Sequence, residues 1–346
     1  MVGGVGLVAY AALGGLPSLT GLGAGNLDAP VSADSTPQTF VVRPGQSAGD
    51  VGRELYERGL IKSPLMFRAQ VEARGVGSRI EAGEYRVSPS MTTSEVVVVL
   101  SRGATRSGLQ VTVPEGWRAE QVAQKAESLG IGRADELMAL VRAGGGIRPA
   151  DPPPAGQSLE GYLFPNTYEI PKDADGRALV ELMVREFDRQ VSPQLRARLA
   201  AQGLTLHQAL TLASIVEREA ARSSEQPMIA GVYLNRLKRD IPLQADPTVQ
   251  FAVATANLFE ALGFGYWKRD LTRDDLRLPS PYNTYVQRGL PPGPICSPGL
   301  AALEAVADPT PSDYLFFVAK GDGSHVFART DEEHAANVRR YQDGRE

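Results

Sequence analysis

The stretch HQALTLASIVEREAA, from His207 to Ala221, offers two carboxylates, Glu217 and Glu219. It has helical length with neither Gly nor Pro, so the two side chains leave one helix in different directions. Glu219 has Arg222 three residues on, within reach for a solvated ion pair, and that is its plainer reading. Glu217 instead shares its helical face with Leu210, Ala213, Ser214, Ala220 and Ala221. Those neighbours carry no charge and are mostly small. A face of that kind desolvates a carboxylate and raises its pKa, which suits a group that must hold a proton near neutral pH. A surface glutamate beside alanines is the alternative, and this segment alone leaves it open.

Three further segments carry polar and aromatic side chains at loop-like spacings. In GVYLNRLKRDIPLQADPTVQFA a helix with Asn235 gives way at Asp240 to a loop holding Gln244, Asp246, Pro247 and Thr248. Pro247 disfavours helical geometry at Asp246, which reads as a second site carboxylate or as the cap of a helix starting at Thr248. The stretch SPYNTYVQRGLPPGPICSPG sets Tyr282, Asn283, Thr284 and Tyr285 in a Pro- and Gly-rich loop. LEGYLFPNTYEI has the same character, with Glu160, Tyr162, Phe164, Asn166 and Tyr168. Aromatic faces for stacking and amides for hydroxyl groups suit carbohydrate, while rigid loops with buried tyrosines are the structural alternative.

Composition narrows the chemistry. The chain has 346 residues, one cysteine (Cys296) and three histidines (His207, His325 and His334). An internal disulfide is impossible, and neither a Cys/His metal site nor any cofactor is expected. With 36 basic and 40 acidic side chains the net charge is -4, which argues against nucleic acid as a partner. Catalysis is therefore expected from carboxylates, hydroxyls and amides.

The elements that must position these groups can be placed coarsely. Met1 to Leu27 has no charged residue and is long enough for a membrane helix, so an anchor is expected at 1–27, although its many glycines also fit a leader. DAPVSADSTPQ, 28–38, reads as a linker. A small α+β unit follows at 39–105. It has a strand in TFVV, a helix capped by Ser47 and Asp50, a helix after Ser63 and Pro64, a strand in IEAGEYRV and a helix capped by Thr92 and Glu95. VTVPEGWRAEQVAQKAESLGI then echoes VVRPGQSAGDVGRELYERGLI, with one residue inserted, as strand, turn, helix and glycine. Coincidence between two common βα units explains the echo equally well. GGGIRPADPPPAGQS, Gly144 to Ser158, must be a loop, which makes 106–158 a lead-in to the remaining chain.

The motifs LEGYLFPNTYEI, LASIVEREA, GVYLNRLKRDIPLQADPTVQFA, SPYNTYVQRGLPPGPICSPGL and YLFFVAKGDGSHVFARTDEEH, in this order, resemble the endolytic murein transglycosylase (MltG) family. The likeness runs over essentially the whole chain from Thr39. It implies an α+β architecture: an N-terminal membrane segment, a LysM-like α+β subdomain at 39–105 and a mixed α+β catalytic domain at 106–346 outside the cytoplasm. It also implies a lyase that cuts nascent peptidoglycan strands, with Glu217 as the catalytic residue. Membrane lipid and the peptidoglycan synthases are the further partners, and the site is at the cell membrane, on the periplasmic side. Glu160, Tyr162, Asn235, Gln244, Asp246, Thr248, Tyr282, Asn283 and Thr284 are the expected substrate contacts. Two other readings stay open: a two-carboxylate muramidase with Asp246 as partner, and a glycan-binding scaffold.

Overall fold

A computed structural model describes residues 26–103 and 108–342, with the side chains of residues 259 and 260 left aside. The expected membrane segment thus lies almost wholly outside the described residues. Among those described, no single helix is long and apolar enough to cross a membrane. The chain divides into two compact units, which meet in sequence between Ser107 and Gly108.

The first unit contains β1 (Gln38–Val42), α1 (Ala48–Glu57), α2 (Pro64–Arg74), β2 (Gly83–Val87) and α3 (Thr93–Ser101). β1 and β2 pair antiparallel, with Phe40 opposite Tyr85, and alternate residues point inward. Local chemistry starts each helix. Ser47 with Asp50 and Thr92 with Glu95 form reciprocal capping boxes, and Ser63 caps α2 ahead of Pro64. Phe40, Leu55, Phe67, Tyr85, Val96 and Leu100 are the buried centre.

Residues 28–38 are not a free linker. The Asp28 carboxylate accepts the Ser94 N–H at 2.7 Å and the Gln70 amide at 2.8 Å, and Val31 and Ser32 donate to the Pro89 carbonyl. An acid at the start of α3 meets unpaired N–H groups and the positive end of the helix dipole, which fastens this segment to the first unit.

The second unit runs β3 (Leu109–Val113), α4 (Ala119–Ser128), α5 (Ala134–Ala143), β4 (Asn166–Ile170), α6 (Gly176–Gln190), α7 (Pro193–Ala201), α8 (Leu206–Glu219), α9 (Gln226–Lys238), α10 (Asp246–Ala256), α11 (Leu258–Gly263), α12 (Leu300–Ala307), β5 (Phe316–Ala319), β6 (His325–Ala328) and α13 (Asp331–Tyr341). Its strands form two separate antiparallel pairs, β3 with β4 and β5 with β6. The rest is helical, and α8 lies among α7, α9, α10 and α12.

α8 is buried all round rather than on one face: every residue from Ala209 to Val216 is buried, the hydrogen-bonded Thr211 and Ser214 included. A helix without a solvated side belongs inside a core. Beyond this stretch its first turn is exposed at Gln208, and its last, Glu217 to Glu219, reaches partial exposure. The core therefore carries two glutamates to its edge on a buried helix.

Candidate active site

Glu217 sits where α8 leaves the core. Ala220 is already extended (φ -79°, ψ 111°), so Ala220 and Ala221 do not continue the helical face expected for them. The enclosure comes from two distant segments instead. Residues 295–299 run along α8: the Ile295 N–H donates to Ser214 Oγ at 3.0 Å, and Cys296 Sγ lies 3.4 Å from the Ser214 carbonyl. At the end of this run the Gly299 N–H donates to Glu217 Oε2 at 3.2 Å. The turn between β3 and α4 closes the other side. Gly116 N–H donates to the Ser297 carbonyl and Ser297 N–H to the Trp117 carbonyl, both at 2.8 Å.

Gly116 has φ 75°, and a side chain added there would start 3.2 Å from Arg218 Nη1 and 3.8 Å from Glu217 Cγ. Glycine is needed for the positive φ and for this approach. Burial raises the Glu217 pKa. The Gly299 N–H opposes it, the Glu115 charge adds to it, and Arg218 and the Gln226 side chain oppose it. The Arg218 guanidinium lies 4.0 Å from the Trp267 ring, and its Nε is buried with no hydrogen-bond partner. Trp117 and Trp267 are both half-buried, so part of each indole is open to a ligand.

Glu219 makes no ion pair with Arg222. It accepts the Tyr233 hydroxyl at 2.7 Å, while Arg222 donates to the Asp322 carbonyl at 2.6 Å. The helix stops at Glu219, so the three-residue spacing no longer brings the two side chains together. Burial pushes the Glu219 carboxyl up to about 7, against the Tyr233 hydrogen bond and with the help of Asp246. Asp246 accepts the Tyr285 hydroxyl at 2.7 Å. It lies in the first turn of α10 behind the cap Ala245, not before a helix starting at Thr248, because Pro247 is at home in a first turn.

Most of the expected sugar contacts hold the protein to itself. Glu160 is 6% exposed, and its carboxylate accepts the N–H of Ala119, at the start of α4, at 3.0 Å and that of Gly161 at 3.3 Å. Burial drives its carboxyl up to about 8, with the Glu120 charge adding to the effect. Tyr162 is fully buried against Phe187 and bonds His207 Nδ1 at 3.1 Å. His207 Nε2 faces the Pro292 carbonyl at 3.0 Å. A carbonyl only accepts, so Nε2 carries the proton and Nδ1 receives the Tyr162 hydroxyl.

Asn235 donates to the carbonyls of Ser312 (2.8 Å) and Tyr314 (3.1 Å), and Asn283 to those of Leu276 (3.1 Å) and Leu278 (3.0 Å). Thr248 and Thr284 are buried with their hydroxyls 2.8 Å apart, and Thr284 Oγ1 accepts the Ala245 N–H at 3.0 Å. Gln244, at φ 51°, donates its N–H to the Thr284 carbonyl and accepts Arg236 Nη1 at 3.3 Å. Tyr282 is half-buried on Phe251, with ring centres 4.6 Å apart, and burial pushes its hydroxyl up to about 12. Buried polar groups need partners, and in loops of this density the nearest partners are carbonyls of the same loops.

Sequence reasoning thus missed Glu115, Gly116, Gly299, Arg218, Gln226 and Trp267 around Glu217. The available signal is VPEGW, an acid and a glycine in a βα turn, which in the sequence stands out only as part of the echo.

The fold and this site define an α+β protein with a half-buried carboxylate at the end of a core helix. The chain belongs to the YceG-like family, whose profile matches residues 40–340. It is 32% identical to a protein of Streptococcus pneumoniae named endolytic murein transglycosylase, over 89% of this chain and 59% of that one. It is 31% identical to a protein of the same name from Bacillus subtilis, over 90% of this chain and 87% of that one. The chain therefore spans 59% of the pneumococcal relative's length. A solved structure of a yceG-like protein from Listeria monocytogenes is similar, with TM-score 0.55 and 32% identity over 87% of this chain and 98% of that one.

Proposed function

We propose that this protein is an endolytic peptidoglycan transglycosylase that cuts the bond between N-acetylmuramic acid and N-acetylglucosamine within glycan strands. The observation that carries the reading is the setting of Glu217: half-buried, at the end of a buried core helix, with its pKa raised by burial. A protonated Glu217 donates its proton to the glycosidic oxygen, and the carbon–oxygen bond breaks with oxocarbenium character at the anomeric carbon. The primary hydroxyl of the same muramic acid ring then attacks that carbon. Its proton goes to the Glu217 carboxylate, which leaves a 1,6-anhydro end and restores the acid. No water enters, because the nucleophile is already held beside the carbon it attacks. The Gly299 N–H steadies the carboxylate between the two transfers. Trp117 and Trp267 offer ring faces to the sugars.

In the same reading residues 1–27 anchor the chain in the cell membrane. The first unit, LysM-like, contacts glycan outside the cytoplasm, and the strands come from neighbouring peptidoglycan synthases. The muramidase alternative keeps Glu217 as the acid and takes Asp246 as the second carboxylate that a hydrolysis needs. Incubation of the full chain with uncrosslinked glycan strands tests the proposal. Release of shorter strands by wild type and none by Glu217→Gln is the expected result, and equal release by both overturns it.

A further inference from the structure

The turn between β3 and α4 brings a second carboxylate to Glu217 that the reaction above does not use. The two backbone bonds between Gly116–Trp117 and Ser297 fix the turn against residues 295–299. Glu115 then lies directly over Gly299: a methyl group on Gly299 would fall 1.9 Å from Glu115 Oε1 and 2.2 Å from its Cδ. On its N–H side the same Gly299 bonds Glu217 Oε2 at 3.2 Å. Gly299 thus lies against both carboxylates. Glu115 is exposed, and among the described residues no hydrogen bond or ion pair holds its carboxylate.

We propose that Glu115 is a positioning residue for Glu217, whose fixed charge across Gly299 keeps the Glu217 carboxyl protonated until a glycan strand enters. The inference rests on the reading of Glu217 as the acid. Two carboxylates that share a site do not ionise together easily, and the better solvated one ionises first. Of the two, Glu115 is exposed and Glu217 half-buried. The other groups around Glu217 do not supply this charge. Arg218, from the same helix, favours the ionised form, as do the Gln226 side chain from α9 and the Gly299 N–H. The Cys296 thiol beside them is buried, and burial holds it protonated. Arg236 of α9 and Asp246 of α10 act on Glu219. Glu115 neither gives nor takes a proton in the cycle. It also explains Gly299, since any side chain there would occupy the place of the Glu115 carboxylate.

The test is the pH–rate profile of strand cleavage by the full chain, wild type against Glu115→Gln, read together with a carbon-13 NMR titration of the Glu217 carboxyl. In Glu115→Gln the alkaline limb is expected to move to lower pH, with activity down about fivefold on that limb and nearly unchanged on the acid side. The Glu217 titration moves the same way, Glu115→Asp restores part of both, and Gly299→Ala, which displaces the Glu115 side chain, reproduces the shift. An equal loss at every pH with an unmoved Glu217 titration shows a structural role and overturns the proposal, as does no change in either. If wild type releases no strand ends at any pH, the reading of the activity fails, while the titration still decides whether Glu115 sets the protonation of Glu217.

Discussion

The chain builds one strand, turn and helix twice, as β1 with α1 and as β3 with α4, and the two copies differ most in the turn. Both turns hold a glycine of positive φ, Gly45 at 82° and Gly116 at 75°. Around Gly45 a side chain would meet nothing within 4 Å, whereas around Gly116 it would meet Arg218 and Glu217. The helix starts differ as well. α1 is capped locally by Ser47, while the N-cap of α4, Arg118, has no capping side chain; there Gln121 accepts the Arg118 N–H from within the helix and Glu160 accepts the Ala119 N–H from far along the chain. A unit that closes on itself needs only local chemistry. One that frames a site takes its partners from remote segments, and its residues are then held by contacts that local sequence does not display.

The comparison can be broken most sharply at the carboxylate that the second turn faces. Glu217→Gln is expected to lower strand cleavage by about a thousandfold, the size of a lost acid and base, with an unchanged thermal midpoint. A fall in the midpoint that matches the loss of activity would make Glu217 a structural residue. Next in size are the caps. Glu160→Ala leaves the Ala119 and Gly161 N–H groups unpaired in the core and should cost about 2–3 kcal/mol in urea unfolding. Ser47→Ala should cost about 1 kcal/mol. Equal costs would remove the distinction between local and remote capping.

Much of the fold was legible because its signals are local. The capping boxes at Ser47 and Thr92, Pro64 after Ser63, and the glycine-rich loop from Gly144 to Ser158 name their elements within a few residues. The raised pKa expected for Glu217 has a partly different cause from the one expected: α8 is buried on every side as far as Val216, and burial rather than a row of small neighbours isolates its end. Glu115 was not legible, because its proximity to Glu217 depends on Gly299, which only the folded chain brings near. Asn235, Asn283, Thr248 and Thr284 misled for a chemical reason. The amides and hydroxyls that suit sugars also suit loop carbonyls, and only burial tells the two uses apart.

Two smaller effects sharpen the same contrast. Gly116→Ala should reduce cleavage about tenfold by forcing Arg218 and the turn away from Glu217. Gly45→Ala carries a similar backbone strain of about 1–2 kcal/mol and should leave cleavage unchanged. A separate effect is on stability against pH. The raised carboxyls of Glu160, about 8, and Glu219, about 7, bind protons in the folded state that the unfolded chain has released. Their contribution is complete below the ordinary glutamate value of 4.5 and is lost as pH rises through about 7 and then about 8. Urea midpoints should therefore fall from mildly acid to alkaline pH, and Glu160→Gln should flatten that slope.

The central claim is that one carboxylate, Glu217, serves in turn as acid and base with an internal hydroxyl as nucleophile. The masses of the new strand ends released by the wild-type chain from uncrosslinked peptidoglycan test it most directly. Anhydro ends, one water lighter than reducing ends, are the predicted result, and reducing ends made by wild type would contradict it.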